Sequence, residues 1–84
     1  MVSVFYDDDQ GSPQYATFLN VDSFKSDFIH PVSQITRIVA SGIGARQVYD
    51  RFGESIPFPR NDGFFDMKDV TWYGDIARTI AANL

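Results

Sequence analysis

Val32-Ser33-Gln34-Ile35-Thr36-Arg37-Ile38-Val39-Ala40 is the stretch on which the fold turns, because two periodicities compete in it. Val32, Ile35 and Val39 share one helical face, Pro31 sits where a first helical residue would, and Gly42 sits where a helix cap would. Against the helix, five of the nine residues are Val, Ile or Thr, which suit a pleated strand better. The strand reading is preferred, and the rest of the chain is built outward from it.

Downstream, Ser41-Gly42-Ile43-Gly44 reads as a turn into a second strand at residues 45–52 (Ala-Arg-Gln-Val-Tyr-Asp-Arg-Phe). Gly53-Glu54 turns again into residues 55–58, where Pro57 and Pro59 place any strand at a sheet edge. Asn61-Asp62-Gly63 is a further turn. From about Met67 to Asn83 the spacing predicts an amphipathic helix, with Asp66 or Asp69 as cap. Its apolar stripe is Val70, Tyr73, Ile76, Ala77, Ile80, Ala81 and Leu84. Gly74 falls inside that helix at a cost of about 1 kcal/mol relative to alanine.

Upstream, residues 2–6 and 14–20 are rich in branched and aromatic types. They flank Asp7-Asp8-Asp9-Gln10-Gly11-Ser12-Pro13, a segment of strong turn chemistry, so a first β-hairpin is expected. Residues 22–30 carry Phe24 and Phe28 four apart, with Asp22 or Ser23 available as N-cap and Pro31 as the stop. A short helix follows. The expected fold is α+β: an antiparallel sheet of four or five short strands with a C-terminal amphipathic helix packed on one face, all in a single compact domain over residues 1–84.

Composition then narrows the function. Thirteen of the 84 residues are Phe, Tyr or Trp, more than one small core easily hides, so some are expected at an interface. Groups that titrate or attack near neutral pH are scarce: one histidine (His30), no cysteine, one glutamate (Glu54), and lysines only at 25 and 68. Binding is therefore expected rather than catalysis, with no catalytic residue, no cofactor and no metal. The absence of cysteine excludes disulfides and thiolate zinc sites. No apolar run approaches a membrane span, and the acidic start lacks the basic region of a secretory signal, so no membrane partner and a cytoplasmic location are expected.

The net charge of −4 argues against binding nucleic acid by charge alone. Its distribution is uneven. Residues 1–30 carry five aspartates against Lys25, residues 31–60 carry four arginines against Asp50 and Glu54, and residues 61–84 are acidic again. Arginine alone supplies the basic middle, and its planar fork suits carboxylates and phosphates.

Several constellations come close to known chemistry. Asp7, Asp8 and Asp9 offer oxygen ligands, yet they lack the alternate spacing and closing glutamate of an EF-hand and read better as a turn or an acidic contact patch. Gly42-Ile43-Gly44-Ala45-Arg46 has the glycines of a phosphate loop without its remaining elements. His30 has no second His or Cys to complete a metal site. In a hairpin of residues 35–40 and 45–50, Arg37 and Arg46 would share a face, with Arg51 on the other. Near the C-terminus, Trp72 either packs beneath Phe64-Phe65 and closes the loop onto the sheet, the preferred reading, or is exposed with Phe65 at the centre of an interface.

These readings predict a small protein-interaction domain that binds a larger protein partner as inhibitor, adaptor or regulatory subunit. Its contacts would come from Asp7, Asp8, Asp9, Arg37, Arg46, Arg51, Phe65 and Trp72. One version is a virus- or mobile-element-encoded inhibitor whose aspartates mimic phosphates. The alternatives are a nucleic-acid-binding module with an arginine and aromatic sheet face, and a self-assembling structural protein that forms a homo-oligomer.

Overall fold

The structure is a computed structural model and describes residues 1–57 and 69–84. Among the described residues four antiparallel strands form one sheet: β1 (Val2–Asp7), β2 (Pro13–Phe18), β3 (Ile35–Ala40) and β4 (Val70–Tyr73), in the order β2-β1-β3-β4. Three helices accompany it among the described residues: α1 (Val21–Asp27), α2 (Gly42–Phe52) and α3 (Gly74–Asn83). The α+β class, the antiparallel sheet and the C-terminal helix are as the sequence predicts.

The β1–β2 hairpin is held by its turn chemistry. The Asp8 carboxylate accepts the backbone N–H groups of Gln10 and Ser12, each at 2.9 Å, and Gly11 takes the positive φ of 77° that closes the turn. The hydrogen bonds hold the Asp8 carboxyl below its ordinary value, that from Ser12 most strongly. In α1 the N-cap is Asn20, not Asp22 or Ser23: its side-chain oxygen accepts from the Ser23 N–H at 2.9 Å. The disputed central stretch divides, with a 3-10 turn at Val32–Gln34 and strand from Ile35.

Three elements differ from expectation. Residues 45–52 belong to helix α2, not to a strand. Gly42 adopts φ 54° and swings the chain out of β3 directly into the helix. The helical spacing of Ala45, Val48 and Phe52 then faces the core, and Arg46 reaches Asp50 one turn on at 3.2 Å. The helix predicted at 67–83 is likewise divided. Among its described residues Val70–Tyr73 is strand, Gly74 (φ 56°) makes the corner, and Gly74–Asn83 is helical. Gly74 is a junction rather than a tolerated interruption. Ser55 closes a 3-10 turn (Gly53–Ser55), so the edge strand expected at 55–58 does not start there; Phe58 lies outside the described residues.

The helices share one face of the sheet. Val2 and Val4 of β1, Ile38 and Ala40 of β3, and Val70 and Trp72 of β4 point into a core closed by Val21 and Phe24 of α1, Ala45 and Val48 of α2, and Ala77 and Ile80 of α3. Gly44 lets α2 approach: a Cβ there would lie 2.7 Å from Val2 Cγ2 and 2.8 Å from the Met1 carbonyl oxygen. Tyr6, Phe18, Phe24, Phe28 and His30 form a run of edge and stacked contacts where α1 meets the sheet. Among the described residues no helix is long and apolar enough to cross a membrane.

Candidate functional site

With the helices gathered on one side, strand alternation leaves the opposite face with its own set of side chains. Register aligns them in rows. Phe5 stands opposite Tyr15 of β2 on one side and Arg37 of β3 on the other, and Arg37 stands opposite Tyr73 of β4. The row Tyr15–Phe5–Arg37–Tyr73 therefore crosses all four strands, roughly 14 Å at ordinary strand spacing. A second row, Thr17–Ser3–Val39–Thr71, runs beside it.

The first row is organised by ring contacts. Phe5 and Tyr15 stack with centroids 5.5 Å apart and planes at 25°. The Arg37 guanidinium carbon lies 3.9 Å from the Phe5 ring centroid, a cation–π contact on a ring already buttressed by Tyr15. The two ends of the row are open to solvent: Tyr15 is 68% and Tyr73 63% exposed. In the second row the hydroxyls of Ser3 and Thr17 are 3.1 Å apart. No helix among the described residues covers this face.

The residues singled out in the sequence are dispersed. Arg37 is in the row. Asp7 ends β1 opposite Pro13, and alternation puts it on the same face as Phe5. Asp8 is committed to the turn, where it also accepts from Gln14 Nε2 at 3.2 Å, and Asp9 accepts from Gln34 Nε2 at 2.6 Å. The three aspartates are thus three different environments rather than one patch. Arg46 lies on the solvent side of α2 beside Asp50, and Arg51 donates to the Asn83 carbonyl, tying α2 to the end of α3. Because residues 45–52 are helix, Arg37 and Arg46 share no strand face, and the arginine hairpin face predicted from the sequence does not form.

Trp72 is inside, 2% exposed, with its indole N–H donating to the Pro57 carbonyl at 2.7 Å. It is a core residue and offers no surface to a partner. Phe65 lies outside the described residues. His30 is stacked on Tyr6 at 4.4 Å between centroids. No group of three His, Cys, Asp or Glu that could hold a metal ion occurs among the described residues.

Phe5, Tyr15 and Tyr73 do not stand out in the sequence as site residues, and the helical spacing places Tyr73 in a core stripe. A signal for two of them is present. In the expected hairpin, Phe5 and Tyr15 have the opposite parity to Val2 and Val4, so one pair of faces has to carry aromatic rings outward. Comparison with known proteins adds nothing to this geometry: no family model, no curated protein and no solved structure matches the chain.

Proposed function

We propose that this chain is a binding module that docks a larger protein through the open face of its sheet, acting as an inhibitor or adaptor rather than as an enzyme. The observation that carries the reading is the row Tyr15–Phe5–Arg37–Tyr73. Tyrosine and arginine are the side chains in which interface energy concentrates, and here Phe5 holds Tyr15 by stacking and Arg37 by a cation–π contact, so those two have less freedom left to lose. Cross-strand ring pairs contribute only about 0.2–1 kcal/mol to a sheet, and that gain is available without leaving two tyrosines largely in water.

The test is recovery of a partner by the immobilised protein from its native lysate, compared between the natural sequence and a Tyr15→Ala/Tyr73→Ala double variant of matched circular dichroism and melting temperature. One protein retained in stoichiometric amount by the first and lost from the second is expected. A partner held equally by both would move the docking site off this face. Self-association abolished by the double variant would make a second copy the occupant instead.

A further inference from the structure

Arg37 is a cation on the open face whose hydrogen-bonding capacity is unspent among the described residues. Its cation–π contact with Phe5, 3.9 Å from the guanidinium carbon to the ring centroid, is not a hydrogen bond to an acceptor atom and so spends none of its five N–H donors on one. Arg46 pairs with Asp50 and Arg78 with Asp75, and Arg37 takes part in neither pair. Along β1, two residues on from Phe5, Asp7 supplies an exposed negative charge on the same face. Strand geometry sets the Cα atoms of Arg37 and Asp7 about 8 Å apart.

We infer that the partner presents a carboxylate to Arg37, from an extended acidic segment of a protein, with a basic side chain two residues further on that meets Asp7. The inference rests on the docking reading above and specifies its chemistry. An extended chain repeats its same-side residues about every 6–7 Å, which spans this pair of charges. The guanidinium fork matches a carboxylate in two parallel hydrogen bonds, and Phe5 beneath it fixes the fork before anything arrives. A polyphosphate chain fits less well. It asks for clustered cations, whereas this face sets Asp7 beside Arg37 and belongs to a chain of net charge −4.

The experiment is selection from a library of random linear peptides displayed on phage, against four forms of the protein matched for circular dichroism and melting temperature. These are the natural sequence, Arg37→Gln, Arg37→Glu and the Tyr15→Ala/Tyr73→Ala double variant. The natural protein is expected to enrich peptides with Asp or Glu two positions from Lys or Arg, and their synthetic versions should bind Arg37→Gln about tenfold more weakly. Arg37→Glu should enrich lysine or arginine in place of the acid; Arg37→Gln carries the test alone if Arg37→Glu does not fold. Peptides that need the tyrosines but ignore Arg37 would overturn the carboxylate inference and leave the docking face standing. Peptides indifferent to both the tyrosines and Arg37, or none at all, would overturn both. Binding of a fluorescent oligo-dT that vanishes in Arg37→Gln would make the anion a phosphate and the partner a nucleic acid.

Discussion

Trp72 and Tyr73 are neighbours in sequence and opposites in the fold. The indole is 2% exposed and hydrogen-bonded to the Pro57 carbonyl; the phenol one residue later is 63% exposed at the end of the aromatic row. Both are large aromatic side chains with a polar tip, so composition does not separate them. Their positions on a pleated strand do: even residues of β4 feed the core and odd ones the open face. The lesson is that an aromatic count overstates what is available for binding. Most of the described rings serve the core, whereas Phe5, Tyr15 and Tyr73 share the opposite face.

The widest separation between the two faces is expected at this dipeptide. Trp72→Ala should cost about 3–5 kcal/mol, since it removes a buried ring and leaves the Pro57 carbonyl without its donor. Tyr73→Ala should cost about 0.5–1 kcal/mol, the loss of one side of a cross-strand pair. Urea unfolding of both variants measures the contrast. If Tyr73→Ala proves as damaging as Trp72→Ala, then Tyr73 is a structural residue and the open face loses one end of its row.

A smaller contrast lies between two glycines at the start of α2. Gly44 is intolerant for lack of space: a methyl group would enter Val2 Cγ2 at 2.7 Å and the Met1 carbonyl oxygen at 2.8 Å. Backbone atoms do not move aside as a side-chain end does, so Gly44→Ala should cost about 1–3 kcal/mol by overpacking. At Gly42 a methyl group would meet nothing within 4 Å, but the backbone sits at φ 54°. Gly42→Ala should therefore cost about 1–2 kcal/mol through conformation alone. Crystals or backbone chemical shifts tell the cases apart: Gly44→Ala should displace α2 from β1, and Gly42→Ala should leave the core contacts in place.

These glycines also show what is legible in the sequence. The hairpin is, because Asp8, Gly11 and Pro13 each carry turn chemistry that works locally. The strand at Ile35–Ala40 is, because branched residues outweigh a helical spacing. The two strand-to-helix corners are not. A glycine between apolar segments looks the same whether it closes a hairpin, interrupts a helix or turns a strand into one, and only the packing of α2 and α3 on the same side selects the last. That ambiguity makes residues 45–52 look like a strand and absorbs Val70–Tyr73 into a helix, and it misplaces the site with them. Arg37 falls in the candidate row because it lies in the strand that the sequence reveals. Tyr73 is missed because its parity is assigned in the wrong element.

The smallest effect concerns the hairpin that puts Tyr15 against Phe5. The Asp8 carboxylate accepts from the Ser12 and Gln10 backbones and from the Gln14 side chain, and all three bonds favour the ionised form. Its pKa in the folded protein accordingly lies below the ordinary 3.8, with the Ser12 bond as the largest cause. A depressed folded pKa means that the unfolded chain binds the proton more readily, so the contribution is present in full above 3.8 and is lost as pH falls through the folded value. The carboxylate is at the surface, so the effect is modest and is best read as a difference. In urea unfolding at a series of acid pH values, the natural protein should lose stability more steeply below pH 3.8 than Asp8→Asn, which keeps an acceptor oxygen but has no proton to take up. The ring-current shifts of Phe5 and Tyr15 should weaken over the same interval if the turn sets the register of the row. Parallel acid slopes would assign the register to the strand ladder and Gly11 instead, and the row would then be as resistant to acid as the core behind it.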